Sequence, residues 1–378
     1  MKIILSPDSF KGSLTAQEVA QTMAEAIHSI DPNTELHLLP VADGGEGTLE
    51  SLINTTRGTF VYRTVQDPLH RPIETCFGLL GDAQTVVIEM AKASGLPLLK
   101  ETERNPLIAT TFGTGELIRH GLELGKRQFL IGIGGSATND GGLGMLRALG
   151  MRFLTSDKKE IIFPYELPLL DTIDDSHFDP RIQQCTFTIA CDVEHPFIGP
   201  NGASFIFGPQ KGATDNIVRL LDDALTHFAN IIEESGRLSL HYAKGAGAAG
   251  GLGGAFLAFF PATLKSGIDV VLDAIRFEYF LAQADLVITG EGKSDAQTLS
   301  GKAPFGIQKR ASAHGVPTML ISALIEDALL LRPYFTELHA IVDDDTSASQ
   351  SIAQPKKYLF KTVTRAMRTY MSVKKERD

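Results

Sequence analysis

Leu286-Val287-Ile288-Thr289-Gly290-Glu291-Gly292-Lys293-Ser294-Asp295 is the stretch that decides the fold. Its first four residues read as a buried strand, which stops at a glycine-rich turn carrying acids. The opening of the chain has the same grammar: Ile3–Leu5 runs into Pro7-Asp8-Ser9-Phe10-Lys11-Gly12-Ser13. Thr15 and Glu18 then make a capping-box signature, and Val19, Met23, Ile27 and Ile30 follow at helical spacing. Pro32-Asn33 ends that helix. The next strand carries Leu36, Leu38, Leu39 and Val41 and runs into Asp43-Gly44-Gly45-Glu46-Gly47-Thr48, before a short helix over Leu49–Asn54. Beyond Asp295 the alternation continues, with a helix at Phe305–His314, strands at Pro317–Ile321 and Leu338–Val342, and a last helix over Lys357–Met371. Between these ends the character changes. Val61–Val65, Glu74–Leu80 and Thr85–Met90 are short runs separated by turn residues and read as antiparallel. The reading is therefore an α/β protein of two domains. Residues 1–60 and 265–378 share one parallel sheet, and 61–264 form an inserted mixed α/β domain. Ligand sites favour domain interfaces, so the active site is expected in the cleft between them.

The size and composition agree. A chain of 378 residues is too long for one ordinary core. Its net charge of −10 argues against a broad nucleic-acid surface, yet a few local lysines can reverse the field in a cleft. The 3 cysteines, Cys76, Cys185 and Cys191, contain no C-x-x-C pair and form neither a disulfide framework nor a zinc site. The first residues lack the pattern of a signal peptide, so a cytoplasmic location is expected. Gly245 to Leu264 is uncharged, but its first half is nearly all Gly and Ala and Pro261 interrupts its end. It reads as a loop leading into a buried helix, not as a membrane span.

Chemistry concentrates in the turns. In open α/β sheets ligands sit beyond the carboxyl ends of the strands. Glycines there bring N–H groups close to phosphate oxygens, and carboxylates in the same loops can hold Mg²⁺. Asp8, Ser9 and Lys11 follow the first strand; Asp43 and Glu46 end a neighbouring one. The densest loop, Gly134-Gly135-Ser136-Ala137-Thr138-Asn139-Asp140-Gly141-Gly142, lies between the strand Phe129–Ile133 and the apolar helix Leu143–Leu149. A helix cap explains one of its polar residues, not all of them. Asp192 follows the strand Thr186–Ala190, and Lys211 sits among small and turn residues. Gly292-Lys293-Ser294 is not a P-loop, because the required first glycine falls on Val287. The 10 histidines show no metal spacing. No G-x-S-x-G elbow is present, and Gly245-Ala246-Gly247-Ala248-Ala249-Gly250 matches the dinucleotide fingerprint by spelling without a strand before it.

Taken together, Pro7–Leu14, Pro40–Thr48, Gly132–Gly142, Phe207–Ala213, Gly245–Gly251 and Ile288–Gly292 closely resemble the bacterial glycerate kinase family, type 1. The resemblance implies ATP-dependent phosphorylation of D-glycerate with Mg²⁺. It implies the 2-phosphoglycerate product over 3-phosphoglycerate, and a first domain of flavodoxin-like topology. The chain departs from the family at His195, where Asn is usual. It departs again at Ser322-Ala323-Leu324, where Ala-Gly-Ser is usual, and the match is poor from Asp343 to Pro355. On chemical grounds Asp43, Asp192 and Lys11 are the candidate catalytic residues. Asp8, Ser9, Glu46, Gly134, Gly135, Ser136, Asn139, Asp140, Lys211, Gly290, Gly292, Lys293 and Lys302 are candidates for substrate and phosphate, and Glu291 and Asp295 for Mg²⁺. The rival readings are a kinase for another small hydroxy acid, a non-catalytic sensor of a sugar acid or nucleotide, and a redox enzyme. The last is disfavoured by the missing fingerprint.

Overall fold

A parallel sheet draws its strands from both ends of the chain. The computed structural model describes residues 1–42, 44–45 and 47–375. It contains two compact units: Met1–Asp43 with Glu50–Thr55 and Val271–Asp378, and Gly44–Leu49 with Thr56–Val270.

The first unit is built on strands β1 (Lys2–Leu5), β2 (Glu35–Leu38), β3 (Leu286–Thr289), β4 (Thr318–Ser322) and β5 (Glu337–Ala340). They lie in the order β2-β1-β3-β4-β5, with every pairing parallel. This is the flavodoxin-like order, whose direction reverses between β1 and β3. Residue chemistry separates centre from edge. A strand covered on both faces must be apolar throughout, and Ile3-Ile4-Leu5, Leu286-Val287-Ile288 and Met319-Leu320-Ile321 are fully buried. Glu-Leu-His-Leu in β2 and Glu-Leu-His-Ala in β5 interleave polar residues and occupy the two edges. Ile3 pairs with Leu286, Ile4 with Val287 and Leu5 with Ile288. One face packs on helices α1 (Ala16–His28) and α3 (Pro355–Lys375) through Val19, Met23, Ile27, Leu359, Val363 and Met367. Leu320 points to the opposite face, onto Leu331 and Phe335. The predicted capping box starts α1: Thr15 Oγ1 accepts the Glu18 N–H, and Glu18 Oε2 accepts the Thr15 N–H at 3.1 Å. Between β3 and β4 runs α2 (Ala303–Ala313). Its N-cap is Lys302, and Pro304 sits in its first turn, where a missing N–H costs nothing.

In the second unit six strands lie in the order Ala262–Lys265, Thr186–Ala190, Gln128–Gly132, Thr85–Glu89, Pro72–Leu79 and Thr59–Gln66. The first four are mutually parallel, and Pro72–Leu79 is antiparallel to both neighbours. The antiparallel reading of 61–90 thus holds on one side of Thr85–Glu89 and ends there. A stacked pair, Phe129 and Phe187 with centroids 4.8 Å apart, lies in the core with Phe153, Phe228 and Phe256. The uncharged Gly-rich segment becomes the largely buried stretch Ala248–Phe259, where Ala249, Gly250 and Gly251 take positive φ and kink the chain before the helix continues. Among the described residues no helix is long and apolar enough to cross a membrane.

Candidate functional site

At the carboxyl edge of the first sheet, the loops after β1 and β3 are bonded to each other. Ser6 N–H donates to Ile288 O, Asp8 N–H donates to Gly290 O, both at 2.8 Å, and Thr289 Oγ1 donates to Ser6 O at 2.8 Å. Gly290 is demanded by close approach, since a Cβ there would lie 1.7 Å from the carbonyl oxygen of Ile321. The loop after β4 joins them through Ala323 N–H to Glu291 O and Leu324 N–H to Gly292 O.

These loops enclose a cleft of about 430 Å³. Of the predicted residues, Asp8, Ser9, Lys11, Glu291, Gly292, Lys293 and Lys302 line it. Lys11 is exposed and, among the described residues, makes no ion pair. Glu291 is 7 % exposed, and burial raises its carboxyl above the usual carboxylate range. Its Oε1 accepts from Thr298 Oγ1 at 2.7 Å and from Ser294 Oγ at 3.1 Å. Its Oε2 lies 3.4 Å from Lys302 Nζ. Asp295 shares that ammonium at 3.6 Å and meets Lys293 at 3.8 Å. Lys293 also pairs with Glu326 at 2.9 Å, the main cause of a raised ammonium pKa. Two carboxylates therefore share one cation beside two further lysines, an arrangement suited to a charged ligand. Among the described residues no cluster of three or more metal-ligating side chains occurs.

A second group of predicted residues belongs to the second unit. Gly134 and Gly135 are exposed at the start of the dense loop, while Ser136, Thr138, Asn139 and Asp140 are buried. Asp140 is 1 % exposed and accepts from Thr111 N–H, Thr111 Oγ1, Gly142 N–H and Gly144 N–H at 2.8–3.1 Å. Burial pushes its carboxyl up, and those four donors oppose the push. Lys211 is 1 % exposed, and its ammonium donates to Ser136 Oγ at 2.8 Å and Thr138 O at 2.6 Å. Burial pushes that ammonium down to about 7. Asn139 donates to Ser204 Oγ at 3.0 Å. The side chains of Lys211 and Asp140 thus bind the protein itself, as does the amide nitrogen of Asn139, whose buried Oδ1 has no partner among the described residues. Asp192 is exposed and accepts the Gly267 N–H at 2.8 Å. His195 bonds to Asn201 O at 3.0 Å and meets the edge of Phe207. Asp43 and Glu46 lie outside the described residues.

The sequence did not single out Thr298, which orients Glu291, or Thr111, which orients Asp140. Neither carries a motif, and both reach their acids by tertiary contact. It also passed over Ile341, Val342, Ser351 and Ile352 on the cleft wall. Ile341-Val342 follows the fifth strand, so the strand-end rule applied to the first strands was the available signal.

An α/β protein with a ligand cleft at the reversal point of a flavodoxin-like sheet is the class that fold and site define. Residues 3–371 match the model of the glycerate kinase family. The chain is 48% identical over 326 residues to the glycerate kinase of Bacillus subtilis strain 168, covering 86% of this chain and 85% of that one. It is 45% identical over 328 residues to the glycerate 2-kinase of Escherichia coli K12, covering 86% of each. A crystal structure from Salmonella typhimurium LT2, of a protein named as glycerate kinase 2, superposes with a TM-score of 0.91 at 40% identity over 99% of both chains. The chain belongs to the glycerate kinase family and is an enzyme.

Proposed function

We propose that this enzyme transfers the γ-phosphoryl group of ATP to the 2-hydroxyl of D-glycerate, giving 2-phosphoglycerate and ADP. The observation that carries the reading is the cleft at the β1/β3 edge, where Lys11, Lys293 and Lys302 stand beside Glu291 and Asp295, in a chain of this family. The E. coli relative's name, glycerate 2-kinase, supports the 2-position.

Phosphoryl transfer is mostly positioning and charge neutralisation. The glycerate oxygen forms a bond to the γ-phosphorus, the bond from that phosphorus to the β,γ-bridging oxygen breaks, and ADP leaves. The hydroxyl proton passes to a carboxylate, for which Asp43 and Asp192 are the candidates. Lys11, Lys293 and Lys302 hold the phosphates as point charges. Exposed Gly134 and Gly135 offer backbone donors to an anion in the second unit. Asp8, Ser9 and Glu46 are candidates for further substrate contacts. We assign Ser136, Asn139, Asp140 and Lys211 to shaping the dense loop. Mg²⁺ usually binds through one or two carboxylates and substrate phosphates. The donor set fits: Glu291 Oε2 and Asp295 already share one cationic group, that of Lys302. When bound, Mg²⁺ would neutralise phosphate charge. A cytoplasmic location accords with Cys76, Cys185 and Cys191 as free thiols.

The test is coupled ADP release from the purified chain with D-glycerate, ATP and Mg²⁺, followed by phosphorus NMR of the product. No ADP with glycerate, alongside turnover of another hydroxy acid, would move the enzyme to that substrate. A product carrying phosphate on the 3-hydroxyl would overturn the regiochemistry alone.

A further inference from the structure

The cleft of the first unit has two chemically different ends. Lys11 lies in the loop after β1, and Lys293 and Lys302 lie in the loop after β3. The rest of the lining comes from further along the sheet edge. Ala323 and Leu324 follow β4, Ile341 and Val342 follow β5, and Ala348, Ser351 and Ile352 lie on the helix Ala348–Ala353. From β1 to β5 is three strand spacings, about 14 Å. The β4/β5 end offers alkyl side chains and one serine hydroxyl, and among its residues Ile352 is 69% exposed.

Glycerate does not account for this end. It is a three-carbon acid with polar atoms on every carbon, and an apolar wall offers it no hydrogen bonds while removing its water. A phosphate chain alone leaves the wall equally unexplained. A planar heterocycle with apolar faces matches it, because removing alkyl and ring surface from water is favourable at about 25 cal/mol per Å². The volume points the same way, since about 430 Å³ is far more than a three-carbon acid fills.

We propose that Leu324, Val342 and Ile352, backed by the buried Ile341, form the nucleobase subsite, with a purine ring against them and the phosphate chain running back along the sheet edge to Lys293, Lys302 and Lys11. Ala323 adds its methyl group to the wall. The proposal rests on the reading of a nucleoside triphosphate as the phosphoryl donor.

The experiment uses the full chain and two substitutions, Ile352→Glu and Val342→Ala. Ile352 is exposed, so its replacement leaves the core intact; circular dichroism checks both variants. KM for ATP and kcat are measured together, and adenosine and inorganic tripolyphosphate are tested separately as competitors of ATP. The expected result for Ile352→Glu is a KM for ATP raised about tenfold or more, which is the loss of roughly one apolar contact surface. The change falls on KM for ATP and not on kcat, adenosine loses its inhibition, and tripolyphosphate keeps its own. Val342→Ala moves KM in the same direction by a smaller factor. A KM for ATP that neither substitution changes, in an enzyme that uses ATP normally, overturns the subsite and leaves the donor reading standing. A wild-type enzyme that uses only a donor without a base overturns both.

Discussion

At Gly290 a single hydrogen separates the chain from a backbone clash. An added Cβ would sit 1.7 Å from Ile321 O, and that oxygen belongs to the neighbouring strand β4 and cannot move aside cheaply. Gly290→Ala is expected to destabilise the first unit by about 1–3 kcal/mol, the range for overpacking, with a lower melting temperature as the readout. An unchanged melting temperature would show that the two strands separate freely. Lys302 is the opposite kind of residue. Its ammonium is shared by Glu291 and Asp295 and costs the fold little to lose at a partly exposed site. Lys302→Met should therefore raise KM for ATP and lower kcat by roughly tenfold or more for a lost charge-assisted contact, with near-normal thermal stability. A destabilised variant with full turnover would make Lys302 a structural ion-pair partner only. For Asp43, a catalytic role predicts that Asp43→Asn lowers kcat by at least about 10²-fold, the lower range for a lost base. Capping its turn predicts instead a loss of about 1 kcal/mol with turnover preserved. Melting temperature and kcat on one preparation separate the two.

Elements were most legible where one local force dominates. The Thr15 and Glu18 capping box was read from spacing because both partners lie within one turn. Thr15→Ala should cost about 1 kcal/mol of stability, measured by urea unfolding, with KM and kcat untouched. Strand β3 was legible because a fully buried parallel strand is a continuous apolar run. Ends were less so. The last helix begins at Pro355 instead of near Lys357, and β2 stops at Leu38 although the apolar residues continue to Val41. Past Leu38 the chain still bonds to β1's end, with Leu39 N–H on Leu5 O and Val41 N–H on Pro7 O, so apolarity outlasts the regular ladder. In the dense loop the density of polar groups was legible but their direction was not. Asp140 turns inward because Thr111, which precedes the helix Phe112–Glu123 far away in sequence, presents an N–H and a hydroxyl to it.

For the whole molecule, the buried charges set a pH dependence. Lys211 is pushed down by burial to about 7, whereas an unfolded chain holds that proton to about 10.5. Between those values the unfolded state binds the extra proton, so stability rises with pH across this window. Asp140 acts in the opposite sense and at lower pH, because its raised carboxyl favours the folded state most when protonated. Lys211→Met is expected to flatten the rise in urea midpoint between pH 7 and pH 10. An equal rise in the variant would assign it to other groups. The sequence alone determined the α/β class, the strands that become central, the turns that end them and the family, because hydrophobic period, glycine and capping act over a few residues. Only the tertiary structure decided which polar residues face a cleft and which face the interior. Lys211 and Lys302 look alike in the sequence, each beside glycine, yet one is sealed against Ser136 and Thr138 and the other opens onto acids. The physical reason is that burial is set by partners brought from distant segments, and no local pattern encodes them.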